Sequence, residues 1–158
     1  MARRRSAGRR DSVADMERAL EDIVRWAIRN DVYRESMQRA QVDLPRGHAG
    51  LLARLNQSGP LRLGDLARVL GVDSSTVTPQ TQRLEHFGFV ARTRDPRDGR
   101  AVLLSVTRAG RALLDSMRLR RRALLAERLR GWSDEERAQA AAVLKRVAED
   151  LNLRGEQA

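Results

Sequence analysis

The sequence predicts a mostly α-helical protein with one small β-hairpin set among the helices. Three observations carry that expectation. Apolar residues recur in steps of three and four over most of the 158 residues. A single stretch, Phe89 to Val106, changes to strand-like apolar runs around strong turn chemistry. Aromatic residues make up only 3% of the chain, so Leu, Val and Ala must fill the core, as in helical proteins.

Taken in order, residues 1–10 carry five arginines, no acid and no hydrophobic periodicity, and residues 1–11 are expected to be a disordered basic tail. Ser12 is the expected N-cap of a long helix whose apolar face holds Val13, Met16, Leu20, Ile23, Val24, Ala27 and Ile28. This helix is expected to run on, straight or kinked, toward Arg39. Pro45 and Gly47 then punctuate the chain, and a short helix bearing Leu51, Leu52 and Leu55 is closed by Ser58-Gly59-Pro60.

Leu63 to Leu70 forms the next helix, with Leu66, Ala67 and Leu70 inward. Gly71 ends it, because the turn requires a left-handed backbone that glycine adopts without penalty. Asp73 or Ser74 caps the following helix, whose buried side is Val77 and Leu84. A small residue, a glycine turn and a β-branched plug at Ala67, Gly71 and Val77 let two helices cross closely, the spacing of a helix-turn-helix. Phe89–Arg94 and Ala101–Val106 read as strands joined by Asp95-Pro96-Arg97-Asp98-Gly99. Thr107 caps a long helix through Leu113, Leu114, Met117, Leu124, Leu125 and Leu129. Ser133 and Glu136 make a capping box for a last helix with Ala141, Leu144, Val147, Ala148 and Leu151.

Charge is distributed unevenly. The net charge is +10; residues 44–107 hold nine basic against five acidic residues and residues 108–130 eight against two, whereas 11–43 and 131–158 are net acidic. Excess positive charge on the middle of the chain suits a polyanionic partner. The absence of cysteine excludes disulfides, Cys-ligated zinc and thiol catalysis. No apolar run approaches the roughly 20 residues of a membrane span, and no signal-peptide pattern opens the chain, so a cytoplasmic protein is expected. His48 and His86 belong to no metal-binding or triad pattern, no glycine-rich phosphate loop follows a strand, and neither enzyme activity, cofactor nor metal is expected.

With Val77 as the buried reference, an advance of about 100° per residue points Ser75, Pro79, Gln82 and His86 away from the core. Thr76, Thr78 and Arg83 flank them, and Ser74 opens the helix. Short hydroxyls and amides at a helix N-terminus suit insertion into a DNA groove, Gln82 matches adenine and Arg83 matches guanine or a phosphate. Arg92, Arg94, Arg97 and Arg100 crowd the hairpin beside them, where arginine at a projecting tip suits a narrow minor groove. Asp95 and Asp98, interleaved there, read as partners that orient the arginines. Double-stranded DNA is the expected partner, with Ser74, Ser75, Thr76, Thr78, Pro79, Gln82, Arg83, Arg94, Arg97 and Arg100 as its contacts.

Leu66-Ala67, Leu70-Gly71-Val72, Ser75-Thr76-Val77-Thr78, Arg83-Leu84-Glu85, Gly88, Val90, Arg92, the run Asp95 to Arg100, Val106-Thr107 and Gly110 together resemble the DNA-binding lobe of the MarR family of bacterial winged-helix regulators. The resemblance, with flanking helices, covers about residues 12–151. It implies a winged helix-turn-helix lobe at 44–110, an N-terminal dimerisation helix at 12–43, and connecting and dimerisation helices at 111–158. It further implies a homodimer that reads a palindromic operator, acts as a repressor on the bacterial nucleoid, and carries Arg97 and Arg100 on its wing. Pro79 departs from the arginine, and His48 from the glutamine, that relatives often carry. Relatives often release DNA when a small aromatic or anionic effector enters a crevice between the dimer helices and the lobe. Trp26, Tyr33, His48 and Arg54 lie on segments that would line it; alternatively Trp26 and Tyr33 simply pack the dimer core. Two other functions fit the same residues: a sequence-indifferent architectural DNA binder using the tail and Arg118–Arg122, and a winged-helix module for protein contact.

Overall fold

The computed structural model describes residues 11–29, 32–96, 98–99 and 101–155. The basic tail at 1–10 and the hairpin residues Arg97 and Arg100 lie outside the described residues. The order is α1 (Ser12–Arg29), α2 (Val32–Ala40), α3 (Arg46–Ser58), α4 (Leu63–Leu70), α5 (Ser74–His86), β1 (Val90–Arg94), β2 (Val102–Val106), α6 (Arg108–Arg128) and α7 (Asp134–Gly155).

The expected long N-terminal helix is two helices, α1 and α2. The cap of α1 is also displaced by one residue. The Asp11 carboxylate, not Ser12, accepts from the N–H groups of Val13 and Ala14 at 3.1 and 3.3 Å. Asp precedes the first turn, where an anion also meets the positive end of the helix dipole. α2 ends at Gln41, the one described non-glycine residue with positive φ (54°), and Val42 N–H closes onto the Met37 carbonyl at 3.1 Å.

The centre of the fold is a small core of Leu52, Leu55, Leu66, Val77, Thr81, Leu84 and Leu104, each less than 2% exposed. It is made where α3, α4 and α5 meet β2. Gly71 adopts the left-handed conformation (φ 66°, ψ 31°), and the N–H groups of Gly71 and Val72 return to the carbonyls of Arg68 and Ala67, both at 3.1 Å. That closure satisfies the last carbonyls of α4 and turns the chain into α5.

β1 and β2 pair antiparallel from Val90↔Val106 to Arg94↔Val102. A third partner was not expected: Leu61, directly after Pro60, forms a bridge to Leu104, with N–H to carbonyl distances of 3.1 and 2.8 Å in the two directions. The start of α4 is thus tied by backbone to the hairpin. Thr107 caps α6 as expected, accepting from Gly110 N–H at 3.1 Å while its hydroxyl donates to the Gly88 carbonyl at 2.6 Å. The Ser133–Glu136 capping box also forms, at 2.7 and 3.2 Å.

α6 leaves this lobe along α2, burying Leu113 and Met117. α1 and α7 share no extensive interface with any other described element. Their apolar stripes remain open: Val13, Met16, Ile23 and Val24 on α1, and Val143, Leu144 and Leu151 on α7, are all exposed. Helical periodicity marked apolar faces on both helices, and no other described element covers them. No helix among the described residues is long and apolar enough to cross a membrane.

Candidate nucleic-acid interface

α5 is anchored by one face and bare on the other. Val77, Thr81 and Leu84 are at most 1% exposed, whereas Ser74, Ser75, Thr76, Pro79, Gln82, Arg83 and His86 are exposed. Thr81 lies on the buried side without an apolar side chain; its hydroxyl donates to the Thr78 carbonyl at 2.8 Å, which removes the cost of burying it. Thr78 is half-buried and gives its own hydroxyl to the Ser74 carbonyl at 2.7 Å, so its methyl is the freer part. Asp73 is the N-cap residue but makes no side-chain cap bond. The first N–H groups of α5 therefore have no capping side chain, and they point along the positive end of the helix dipole. Pro79 has no N–H to offer the Ser75 carbonyl, yet the helix continues from Ser74 to His86.

Arg83 has a structural partner as well as an exposed position. Its Nη2 donates to the Asp43 carbonyl at 2.7 Å, with the Asp43 carboxylate 3.7 Å away. This links α5 to the loop before α3. Behind it His48, on α3, is buried, and its Nδ1 has no hydrogen-bond partner. Burial pushes the His48 pKa down and the Arg83 charge adds to that, against a hydrogen bond involving Pro45. His48 is accordingly a buried side chain whose charged form is disfavoured.

The hairpin stands next to α5 and is tied to it. The Arg92 guanidinium donates to Glu85 at 2.7 Å, joining β1 to the last turn of α5. Arg94, at the end of β1, is exposed. Asp95 and Asp98 were expected to orient the hairpin's own arginines, of which Arg97 and Arg100 lie outside the described residues; both carboxylates are also engaged by Arg62, at 2.8 and 3.2 Å. Sequence reading missed Arg62, Glu85 and Asp43. None of these pairings is marked by local spacing, since 33 residues separate Arg62 from Asp95 and 40 separate Asp43 from Arg83.

The residues named for an effector crevice lie on three helices, α1, α2 and α3. Tyr33 on α2 donates to the Leu44 carbonyl, and the Arg46 guanidinium lies over its ring, 5.4 Å from the centroid. Trp26 is half-buried on α1, His48 faces α5, and Arg54 is exposed on α3. A cavity of about 560 Å³ lies between α2 and α6, lined among others by Ser36, Arg39, Phe89, Leu113, Ser116 and Arg120.

An anchored helix with a polar exposed face, a glycine turn before it and a cationic hairpin beside it is a winged helix-turn-helix. Comparison with known proteins agrees. The model of the MarR family matches residues 44–102, from the loop before α3 to the start of β2. The uncharacterized HTH-type transcriptional regulator YxaD of Bacillus subtilis (strain 168) is 32% identical over 120 residues, 76% of this chain and 84% of its own. The chain belongs to the MarR family.

Within the MarR family, the HTH-type transcriptional repressor MdtR of the same Bacillus strain is 32% identical over 99 residues, 63% of this chain and 64% of its own. Among solved structures, a MarR family protein from Bacillus stearothermophilus superposes with a TM-score of 0.74 at 24% identity, covering 92% of this chain and 99% of that one. Streptococcus pneumoniae FabT, solved in complex with DNA, gives 0.62 at 20% identity, covering 86% and 97%. These two structures share the fold with this chain. The family is one of DNA-binding transcriptional regulators.

Proposed function

We propose that this protein is a homodimeric, sequence-specific repressor that binds a palindromic operator in duplex DNA in the cytoplasm. The observation that carries the reading is the two-sidedness of α5: Val77, Thr81 and Leu84 fix it in the core, leaving Ser75, Pro79 and Gln82 and an uncapped N-terminus open to solvent. In this reading α5 enters the major groove. Gln82 reads a base edge, Pro79 offers only apolar contact, and Arg94, Arg97 and Arg100 of the hairpin reach backbone or minor groove. Arg83 keeps α5 in register with the loop before α3 and is a phosphate contact at most.

The open apolar stripes of α1 and α7 support a dimer, because a second copy buries them without any new surface. A repressor is the activity named for MdtR, and FabT was solved on DNA; both support the reading by kinship. The cavity between α2 and α6 suits a small aromatic or anionic effector, with Phe89 and Leu113 to pack a ring and Arg39 to meet a negative charge, while Arg120 beside it pairs with Glu35.

Selection of bound sequences from a random duplex pool tests the proposal. An enriched site with two inverted halves about one helical turn apart is the expected result. If a dimer neutralises about six to eight phosphates, log K against log salt then falls with a slope of roughly −5 to −7. Binding without enrichment would identify a sequence-indifferent DNA binder, and no salt-sensitive duplex affinity would identify a protein-contact module. Either result overturns it.

A further inference from the structure

The turn that ends the hairpin is closed mainly by its own backbone. Asp95 N–H meets the Ala101 carbonyl at 2.9 Å, Asp98 N–H meets Asp95 at 3.3 Å, and Ala101 N–H meets Asp98 at 2.9 Å. Pro96, Asp98 and Gly99 are exposed, so the tip has little apolar packing to set its direction. Arg62 supplies a lateral hold. Its Nη2 donates to Asp95 Oδ2 at 2.8 Å and to Asp98 Oδ2 at 3.2 Å, and its Nε donates to Asp95 Oδ2 at 3.3 Å.

The position of Arg62 makes this hold mechanically useful. It is the N-cap residue of α4, extended at φ −69° and ψ 152°, and the residue before it, Leu61, is bonded in both directions to Leu104 of β2. The backbone that carries the guanidinium is therefore fixed to the middle of β2, and α4 leads through Gly71 into α5. One side chain connects the start of the helix pair with the far end of the hairpin. It also brings a cation to two carboxylates, Asp95 being only 9% exposed, which weakens their repulsion of each other and of an approaching phosphate. A planar fork with several donors is suited to two acceptors at once, which an ammonium is not.

We infer that Arg62 is a positioning residue for DNA binding: it holds the hairpin tip at a set distance from α5 and does not itself contact phosphate. The inference rests on the reading that the tip meets the duplex. A tip ordered before binding does not have to be ordered by it, which raises affinity without a new contact.

Two measurements on the full chain test this separately. Without DNA, Arg62→Ala is expected to speed hydrogen exchange of the Asp98 and Ala101 amides by about tenfold, with Arg62→Lys between it and wild type and the amides of Val77 and Leu84 unchanged. With a fluorescent duplex of roughly 30 base pairs drawn from the random-pool selection, Arg62→Ala is expected to weaken binding by about tenfold. Asp98→Ala is then read in both backgrounds. It should weaken binding when Arg62 is present, by loss of the hold, and change it much less when Arg62 is absent. Unchanged exchange in Arg62→Ala overturns the inference whatever the DNA result. An equal effect of Asp98→Ala in both backgrounds also overturns it, since that marks Arg62 as a direct phosphate contact. If wild type binds no selected duplex, the DNA reading fails and this role with it, and the exchange contrast tells that failure apart from the absence of a hold.

Discussion

A Cβ on Gly110 would lie 2.3 Å from the carbonyl oxygen of Phe89, closer than any side chain tolerates. That carbonyl cannot easily move. It accepts from Thr107 N–H at 3.0 Å, while Phe89 N–H donates to Leu84 at 2.9 Å, so α5, β1 and the first turn of α6 are joined at one point. Gly110→Ala is expected to cost about 2–3 kcal/mol of stability by overpacking. Urea unfolding checks this; a midpoint equal to wild type would mean that α6 shifts freely relative to the hairpin, contrary to the packing described.

His48 gives the lobe a pH dependence whose sign follows from its burial. The folded pKa is lowered, so the unfolded chain binds a proton first as pH falls through about 6.5. Stability attributable to this group is complete above that value. It declines as pH drops further, until the folded form is protonated as well. His48→Gln should flatten the stability curve between about pH 7 and pH 5. If the variant keeps the wild-type slope over that range, the dependence belongs to another group.

The parts of this fold that were legible in the sequence are those governed by near neighbours. Gly71 marks a left-handed turn, Thr107 and Ser133 mark helix starts, and Asp95 to Gly99 marks a hairpin, each by chemistry that acts within four residues. The Ala67–Gly71–Val77 spacing predicted the crossing of α4 and α5 for the same reason. Leu61 was not legible, because a single residue bridging to Leu104 has no period. Gln41 was not, because glutamine is not a residue that favours positive φ, and its conformation is imposed by the closure of α2. Arg62 looked like one of many exposed arginines and Arg83 like a DNA contact alone; their distant carboxylate and carbonyl partners were not legible. The expectation for Asp95 and Asp98 missed Arg62 because it considered partners inside the hairpin alone.

Val24 on α1 and Leu144 on α7 are about half exposed on stripes that a second copy would cover. Placing a carboxylate there forces an unpaired charge into the proposed interface, while in a single chain it meets water. Val24→Glu and Leu144→Glu are each expected to weaken self-association by about a hundredfold and to leave helix content unchanged. Sedimentation across a concentration series measures it. Wild type sedimenting as a single chain, or both variants associating as wild type does, would remove the dimer from the proposed function.

Gln82 and Arg94 should fail in different ways if α5 reads bases and the hairpin holds backbone. Gln82 is exposed on the middle of α5, with an amide suited to the two-sided edge of adenine. Gln82→Ala should cost about 1–3 kcal/mol on the selected site and much less on unrelated duplex, so that repeating the random-pool selection returns a site relaxed at one position in each half. Arg94 is exposed at the end of β1 and offers charge without a fixed base partner. Arg94→Ala should weaken selected and unrelated duplex by similar factors and reduce the salt slope by about 1 per lost phosphate contact. The two variants share the same lobe and differ only in which part of the duplex they meet, so each serves as the control for the other. An unchanged selection profile for Gln82→Ala would move base reading to Ser75 and Thr76, nearer the N-terminus of α5. A change of preference on losing Arg94 would instead make the hairpin a reader of sequence or groove width.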